Sequence, residues 1–256
     1  MLTALLCALS LQSATLDEPP MIMAALTQET VEIRSDFAGA ELVLFGATRG
    51  LTLRDEIIVV LRGPEENLRV MQKARSFGVW LNRDPIAFED VPGFYAIAAT
   101  RPLDEFADPA ELIENELGIA PVLAARQSEP LEGGAVDAAL ASAALAPYRE
   151  AIARAMSRDG LFSANERGVE VLDGGIFRAR LMLPPLTPVG DYTADVYLFR
   201  DGHRVASRSV SLRVEKAGIE RVLYGFAHGA PLIYGLFCVA LAMLAGYVAS
   251  AIFNRD

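Results

Sequence analysis

From Thr30 onward, short runs of apolar and β-branched residues recur at roughly ten-residue intervals, broken by Gly, Pro, Asn and Asp, which is the spacing of antiparallel strands in a sandwich or barrel. The runs predict strands at Val31–Arg34, Leu42–Ala47, Ile57–Arg62, Leu68–Gln72, Val79–Asn82 and Phe94–Thr100. Ile57-Ile58-Val59-Val60-Leu61 is continuous rather than alternating, so its strand is expected at the centre of a sheet with both faces covered. After Gly160 the pattern alternates: Phe177, Ala179, Leu181 and Leu183 share one face, and Arg178, Arg180 and Met182 the other. Tyr192, Ala194, Val196 and Leu198 alternate in the same way, as do Val210, Leu212 and Val214. Arg200-Asp201-Gly202-His203 joins these two strands as a hairpin, Asp-Gly being favoured where φ turns positive.

Between the two β-rich stretches the period changes. Asp108-Pro109-Ala110-Glu111 opens a helix reaching Leu117: Asp caps it, Pro suits its first turn and Gly118 ends it. Asp137–Leu145 and Tyr148–Met156 make a second helical region interrupted at Pro147, with Glu150 and Arg154 four apart and able to pair. Gly-x-Tyr opens a strand twice, at Gly93-Phe94-Tyr95 and Gly190-Asp191-Tyr192, and in Ig-like sandwiches a Tyr at such a corner bonds back to the backbone. The spacing admits two tandem sandwiches. One composite sandwich is preferred, because neither β-rich stretch alone supplies about seven strands.

Both ends of the chain are hydrophobic. No Asp, Glu, Lys, Arg or His occurs from Gly229 to Phe253, a stretch that as helix measures about 37 Å against a hydrocarbon core of roughly 30 Å. Met1–Leu11 is apolar and is followed by Gln12-Ser13-Ala14 and the polar Asp17-Glu18-Pro19-Pro20, the layout of a secretory signal, although no Lys or Arg precedes it. The expectation is therefore a mainly β protein: an Ig-like antiparallel β-sandwich with a helical insertion, plus one C-terminal transmembrane helix. In order, it comprises a signal peptide at 1–14, a β domain at 27–215 with the insertion over about 104–158, a juxtamembrane segment at 216–228, a span at 229–253 and a tail at 254–256. Lys216 and Arg221 before the span and Arg255 after it leave the positive-inside count ambiguous. A long exported domain translocates largely regardless of charge, so the signal is expected to set the topology: a bacterial inner membrane, the β domain in the periplasm and the C-terminus in the cytoplasm.

Charge and composition narrow the chemistry. With 23 Lys plus Arg against 33 Asp plus Glu, the net charge of -10 repels phosphate backbones and excludes nucleic acid as a partner. Cys7 and Cys238 sit in the hydrophobic ends, so the segment between them offers no disulfide, thiolate nucleophile or Cys-ligated metal. His203 and His228 are the only histidines, one in the hairpin and one beside the span, an unsuitable supply for a Ser-His-Asp triad. No phosphate-binding glycine loop, zinc motif or EF-hand loop occurs. No catalytic, cofactor-binding or metal-ligating residue is assigned, no cofactor is expected, and the chain is not read as an enzyme.

Two weaker features remain. Arg62 in Arg62-Gly63-Pro64, with Lys73, Arg75, Trp80 and Arg83, could line an anion-binding surface, since Arg matches oxyanions with a planar fork; the plainer reading is strand-end charge and a core Trp. Cys238, Ala242, Gly246 and Ser250, four residues apart, form a small-residue stripe suited to packing against another transmembrane helix, the alternative being a helix that only anchors.

Phe37-x-Gly39-x-x-Leu42-x-Leu44-Phe45-Gly46-Ala47, Ile58-Val59-Val60-x-Arg62-Gly63-Pro64, Gly78-x-Trp80-x-Asn82 and Pro92-Gly93-Phe94-Tyr95 together resemble a family of alphaproteobacterial transmembrane proteins of unknown function. The resemblance runs from about Val31 to the C-terminal apolar stretch. It implies an exported domain with one C-terminal span and a link to sulfite-exporter-like permeases, and it carries no active site. The functional expectation is a membrane-anchored periplasmic accessory protein that partners a multi-span membrane protein, such as a small-anion permease. The alternative is a membrane-tethered enzyme with an Arg/carboxylate site between the sheet and the helical insertion.

Overall fold

The computed structural model describes residues 21–34, 36–52, 54–71, 73–76, 79–82, 85–126, 138–216 and 231–253. One sheet joins β1 (Met21–Leu26), β3 (Ala40–Arg49), β12 (Ile176–Leu183) and β11 (Val169–Val171) in that order, all antiparallel. A second joins β10 (Phe162–Asn165), β9 (Tyr95–Ala99), β4 (Asp55–Arg62), β13 (Gly190–Arg200), β14 (His203–Lys216) and β2 (Thr30–Ile33). Only its outer pairs, β10–β9 and β14–β2, are parallel. The two β-rich stretches of the sequence interleave, β3 pairing with β12 and β4 with β13. These are the strand neighbours of an immunoglobulin-type sandwich, in which the second strand lies beside the fifth and the third beside the sixth.

Inward side chains of the two sheets meet in one core, Leu42, Leu44, Phe177, Ala179 and Leu181 facing Ile57, Val59, Leu61, Val196 and Leu198. At about 1.5–3 kcal/mol for each large apolar side chain taken from water, this is the main force closing the sandwich. The opposite face of the larger sheet makes a second core. There Ile58, Val60, Tyr95, Ile97 and Phe199 pack beneath Val122, Leu123, Leu145 and Ile152 of a helical layer. Ile57 to Leu61 have no exposed surface, as the unbroken apolar run predicts for a strand covered on both faces.

β4 continues past its sheet. Beyond Gly63-Pro64 the chain runs through β5 (Glu65–Val70) and β6 (Lys73–Ser76), and returns through β7 (Val79–Asn82) and β8 (Ile86–Pro92) into β9. Arg62 lies opposite Tyr95, Glu65 opposite Pro92, Val70 opposite Ile86 and Lys73 opposite Asn82, so β4 to β9 form one long hairpin. At its bend Gly63 N donates to Phe94 O at 2.8 Å and Gly93 N to Pro64 O at 2.7 Å, which carries the ladder through. The Arg62-Gly63-Pro64 and Pro92-Gly93-Phe94-Tyr95 motifs are thus the two sides of one joint. A Cβ at Gly63 would lie 2.9 Å from Phe94 Cβ and from Tyr192 Cε1, so this close crossing needs glycine.

Helix α1 (Pro109–Glu114) is capped as its sequence predicts, the Asp108 side chain accepting from Ala110 N at 2.8 Å. α2 (Ile119–Ala124) follows at once; it was not expected, since Gly118 read as an end. α3 (Ala138–Arg158) runs unbroken through Pro147, where an interruption was expected. Leu145 and Ile152, on either side of Pro147, are both buried in the second core, so packing outweighs the one hydrogen bond that proline removes. Glu150 and Arg154 do pair, at 3.6 Å. The strands β1, β6, β8, β10 and β11 were not expected either: β6, β10 and β11 are three or four residues long, β8 carries Asp90 and Pro92, and β1 has Ile22 as its one β-branched residue.

α4 (Pro231–Phe253) lies near the C-terminus. Here the expectation of a C-terminal transmembrane helix is corrected: among the described residues no helix is long and apolar enough to cross a membrane. The signal peptide expected at 1–14, most of the juxtamembrane segment 216–228 with His228, and the tail 254–256 lie outside the described residues.

The two Gly-x-Tyr signatures do different work. Tyr192 Oη donates to Pro188 O at 2.7 Å, closing a tyrosine corner at the start of β13. Tyr95 Oη instead donates to Glu116 O at 2.9 Å and accepts from Gly118 N at 2.8 Å, tying the β9 end to the helical layer. Tyr192→Phe keeps the ring in the core and deletes only the corner bond. The expected cost is about 1 kcal/mol in denaturant titration of the full chain.

Candidate functional site

The junction between the larger sheet and the helical layer gathers the buried charge. Arg62 closes β4, and its Nη1 lies 2.5 Å from Asp195 Oδ2 on the neighbouring β13. Its Nη2 donates to Asn115 O at 3.0 Å, just past α1, and its guanidinium sits 6.0 Å from the Tyr95 ring centre. Ser209 Oγ on β14 donates to Asp195 Oδ1 at 2.6 Å. Burial disfavours the charged guanidinium, but a hydrogen bond with Tyr197 and the proximity of Tyr95 and Asp195 outweigh it, so the Arg62 pKa is raised. Burial likewise pushes the Tyr95 phenol up, which keeps it protonated and able to donate to Glu116 O. The group is a staple: one arginine at the strand end holds a carboxylate in the sheet and a carbonyl in the helical layer.

A second cluster stands at the opposite end of β4, where Asp55 and Glu56 open the strand. Asp55 receives Arg200 Nε at 2.6 Å and Nη2 at 2.9 Å, and Thr52 N at 2.7 Å. Burial raises the Asp55 carboxyl, but these hydrogen bonds and the charge of Arg200 more than offset it and hold its pKa below 3.8. Glu56 accepts from Thr100 Oγ1 through one oxygen and lies 2.7 Å from Arg101 Nε through the other. Beside it opens a cleft of about 320 Å³ between the sheet edge and the start of the insertion, with Arg54, Arg101, Glu56 and Asp201 on its walls and Phe106 and Phe199 at its apolar side. The walls pair with each other, Arg54 lying 3.7 Å from Asp201 and Arg101 stacking 5.7 Å from the Phe106 ring centre. The cleft can present a charged rim over an aromatic surface.

Of Arg62, Lys73, Arg75, Trp80 and Arg83, the first four fall along one hairpin. Arg62 is committed to the staple at the root of the hairpin, whereas Lys73, Arg75 and Trp80 lie on β6 and β7, with Arg75 opposite Trp80. That hairpin end is about 35 Å of extended chain from Arg62. The side chains of Lys73, Arg75 and Trp80, and Arg83 altogether, lie outside the described residues. Cys238, Ala242 and Gly246 fall along α4; Cys238 is exposed and a Cβ at Gly246 would meet nothing within 4 Å, while the Ser250 side chain lies outside the described residues. His203 approaches Glu111 at 3.5 Å from an exposed turn. Among the described residues no group of three or more His, Cys, Asp or Glu side chains converges on a metal-sized site.

Sequence reasoning missed Asp55, Glu56, Arg101 and Arg200. A signal was present: Asp55-Glu56 and Arg62 bracket the unbroken apolar strand, and charges flanking a strand buried on both faces must find partners on its neighbours.

These features define a class: a two-sheet β-sandwich with a helical layer, the charges at both ends of its central strand paired with neighbouring strands, joined to a C-terminal apolar helix. The chain belongs to the family described as "Putative transmembrane protein (Alph_Pro_TM)", which matches residues 21–255. The match begins at the first residue of β1 and takes in α4. No curated protein matches the chain.

Arg62→Ala strands Asp195, whose side chain is only 16% exposed, and should cost about 3 kcal/mol. Arg62→Ala with Asp195→Ala should cost clearly less than the two changes added; a double-mutant cycle by denaturant titration measures the difference, and strict additivity would show that the pair is not coupled. Because the folded-state pKa of Asp55 is depressed, its contribution to stability is present above its unfolded pKa and is lost as pH falls through the folded value. Between about pH 5 and pH 3 the wild type should therefore lose stability more steeply than Asp55→Asn, as read by melting temperature across that range.

Proposed function

We propose that this protein is a membrane-associated accessory protein whose β domain, on the periplasmic side of a bacterial inner membrane, engages a multi-span membrane protein such as a small-anion permease. The observation that carries the proposal is the surface of α4, where Leu236, Phe237, Met243 and Leu244 are 72%, 53%, 67% and 63% exposed. A helix with this many large apolar side chains facing outward needs an apolar environment, either lipid or another helix. Membership of a family described as transmembrane supports the first part of the reading.

Strand direction supports the second. β4 and β14 both run antiparallel to β13, so the hairpin leaves the sheet beyond Arg62 at the same end where β14 finishes at Lys216. The small-residue stripe of Cys238, Ala242, Gly246 and Ser250 provides the face along which a partner helix approaches. A second reading, a membrane-tethered enzyme, draws on the cleft in which Arg54, Arg101, Glu56 and Asp201 converge.

Capture of the tagged full-length chain from membranes in mild detergent, followed by mass spectrometry, separates the two. The accessory reading expects a stoichiometric multi-span protein. It also expects Gly246→Leu to reduce recovery of that partner several-fold without altering the melting of the β domain, since a Cβ added there meets nothing within 4 Å among the described residues. Recovery of the protein alone from both membranes and detergent extract would overturn it in favour of an ectodomain with its own ligand or activity.

A further inference from the structure

Away from the junction, on the smaller sheet, a cavity of about 260 Å³ is lined by Asn165, Arg167, Gly168, Glu170, Arg178 and Arg180. Three pieces of chain build it: the turn after β10 supplies Asn165 and Arg167, β11 supplies Glu170, and β12 supplies Arg178 and Arg180. The turn is fixed by its own bonds. Asn165 Oδ1 accepts from Arg167 N at 3.2 Å, Gly168 N donates to Asn165 O at 3.1 Å, and Arg180 N donates to Gly168 O at 3.4 Å. This last bond draws the turn against β12, and Gly168 permits the approach, since a Cβ there would lie 2.9 Å from Ala98 Cβ and Asn165 Nδ2.

Three guanidinium groups consequently share a concave site with one carboxylate, in a chain whose net charge is -10. Glu170 forms an ion pair with one of them, lying 2.5 Å from Arg178 Nη2. Arg178 Nε is buried without a hydrogen-bond partner among the described residues. Arg180 reaches Glu41 only at 3.8 Å, and Arg167 is exposed with no ion pair among the described residues. Like charges held together this closely repel, so the arrangement is stabilised by whatever anion enters it.

We propose that this cavity is a binding site for an oxyanion of the phosphate class, held by the forks of Arg167 and Arg180, with Asn165 as a neutral donor and Arg178 locked in place by Glu170. Guanidinium groups match the oxygens of such anions in pairs, and their charge is permanent. Free phosphate and the phosphate of a lipid headgroup present the same chemistry to the site.

The test is calorimetric titration of the full-length chain in detergent at low ionic strength, with inorganic phosphate in one arm and monomeric dihexanoylphosphatidylglycerol in the other. Saturable binding is expected in at least one arm, weakened about tenfold or more, or 1.4 kcal/mol, by Arg167→Gln and again by Arg180→Gln. Both substitutions are at exposed positions and should leave the melting temperature unchanged. Glu170→Gln, which removes the competing carboxylate, should tighten binding. Saturation by inorganic phosphate identifies a free anion as the ligand, and saturation by the lipid alone identifies a headgroup. Absence of saturable binding in both arms, or binding that survives the Arg167→Gln, Arg180→Gln double variant unchanged, would overturn the proposal.

Discussion

Everything in this fold leans on the double burial of β4. A sheet with one wet face can close a sandwich by itself, but Ile57 to Leu61 have no exposed surface on either side, and the two covers have different origins. One is the smaller sheet, which meets Ile57, Val59 and Leu61; the other is the helical layer over Ile58 and Val60. The helices are therefore a structural necessity as well as an insertion, since without them one face of the sheet would place Tyr95, Ile97 and Phe199 in water. The same burial explains the charge chemistry. Polar groups at the ends of a strand with no access to solvent must be answered by neighbours, and Arg62 with Asp195 at one end and Asp55 with Arg200 at the other are those answers.

Much of this organisation was legible in the residues. The unbroken run at Ile57–Leu61 announced a strand covered on both faces, the alternation at Phe177–Leu183 announced a half-wet one, and Asp108-Pro109 announced the start of α1. What was not legible followed from non-local packing. Pro147 reads as a break, yet α3 passes through it because Leu145 and Ile152 are both needed in the second core. β1 lies ahead of the first strand the pattern suggested, since Met21–Leu26 lacks β-branched residues apart from Ile22 and gains its place by pairing with β3. The uncharged stretch near the C-terminus does form a helix, but hydropathy alone promised a membrane crossing that the described residues do not contain.

The sites were less legible than the fold. Residues close in sequence suggest a surface around Arg62, Lys73, Arg75, Trp80 and Arg83; the backbone places Lys73, Arg75 and Trp80 on strands further out along the hairpin than Arg62. The arginines that do share a cavity, Arg167, Arg178 and Arg180, come from a turn and from the outward face of an alternating strand, where each looked like ordinary solvent-facing charge. Tyr95 and Tyr192 carry the same local signature, and only the elements opposite them decide that one closes a corner of the sandwich while the other fastens the helical layer.

The long hairpin and the sandwich differ in the distance along the chain between the residues they join. β4 to β9 fold back on themselves, so contacts such as Arg62 with Tyr95 close between strand pairs that follow one another along the hairpin. β3 cannot find its neighbour that way, because Leu44 pairs with Ala179 only after the hairpin and the whole helical layer have been accommodated between them. The pace of folding is then governed by such distant closures, that of β4 with β13 included, rather than by the propensities of the strands. Additional length in the intervening segment would cost little equilibrium stability while prolonging the interval in which the inner face of β3 has nothing to cover it.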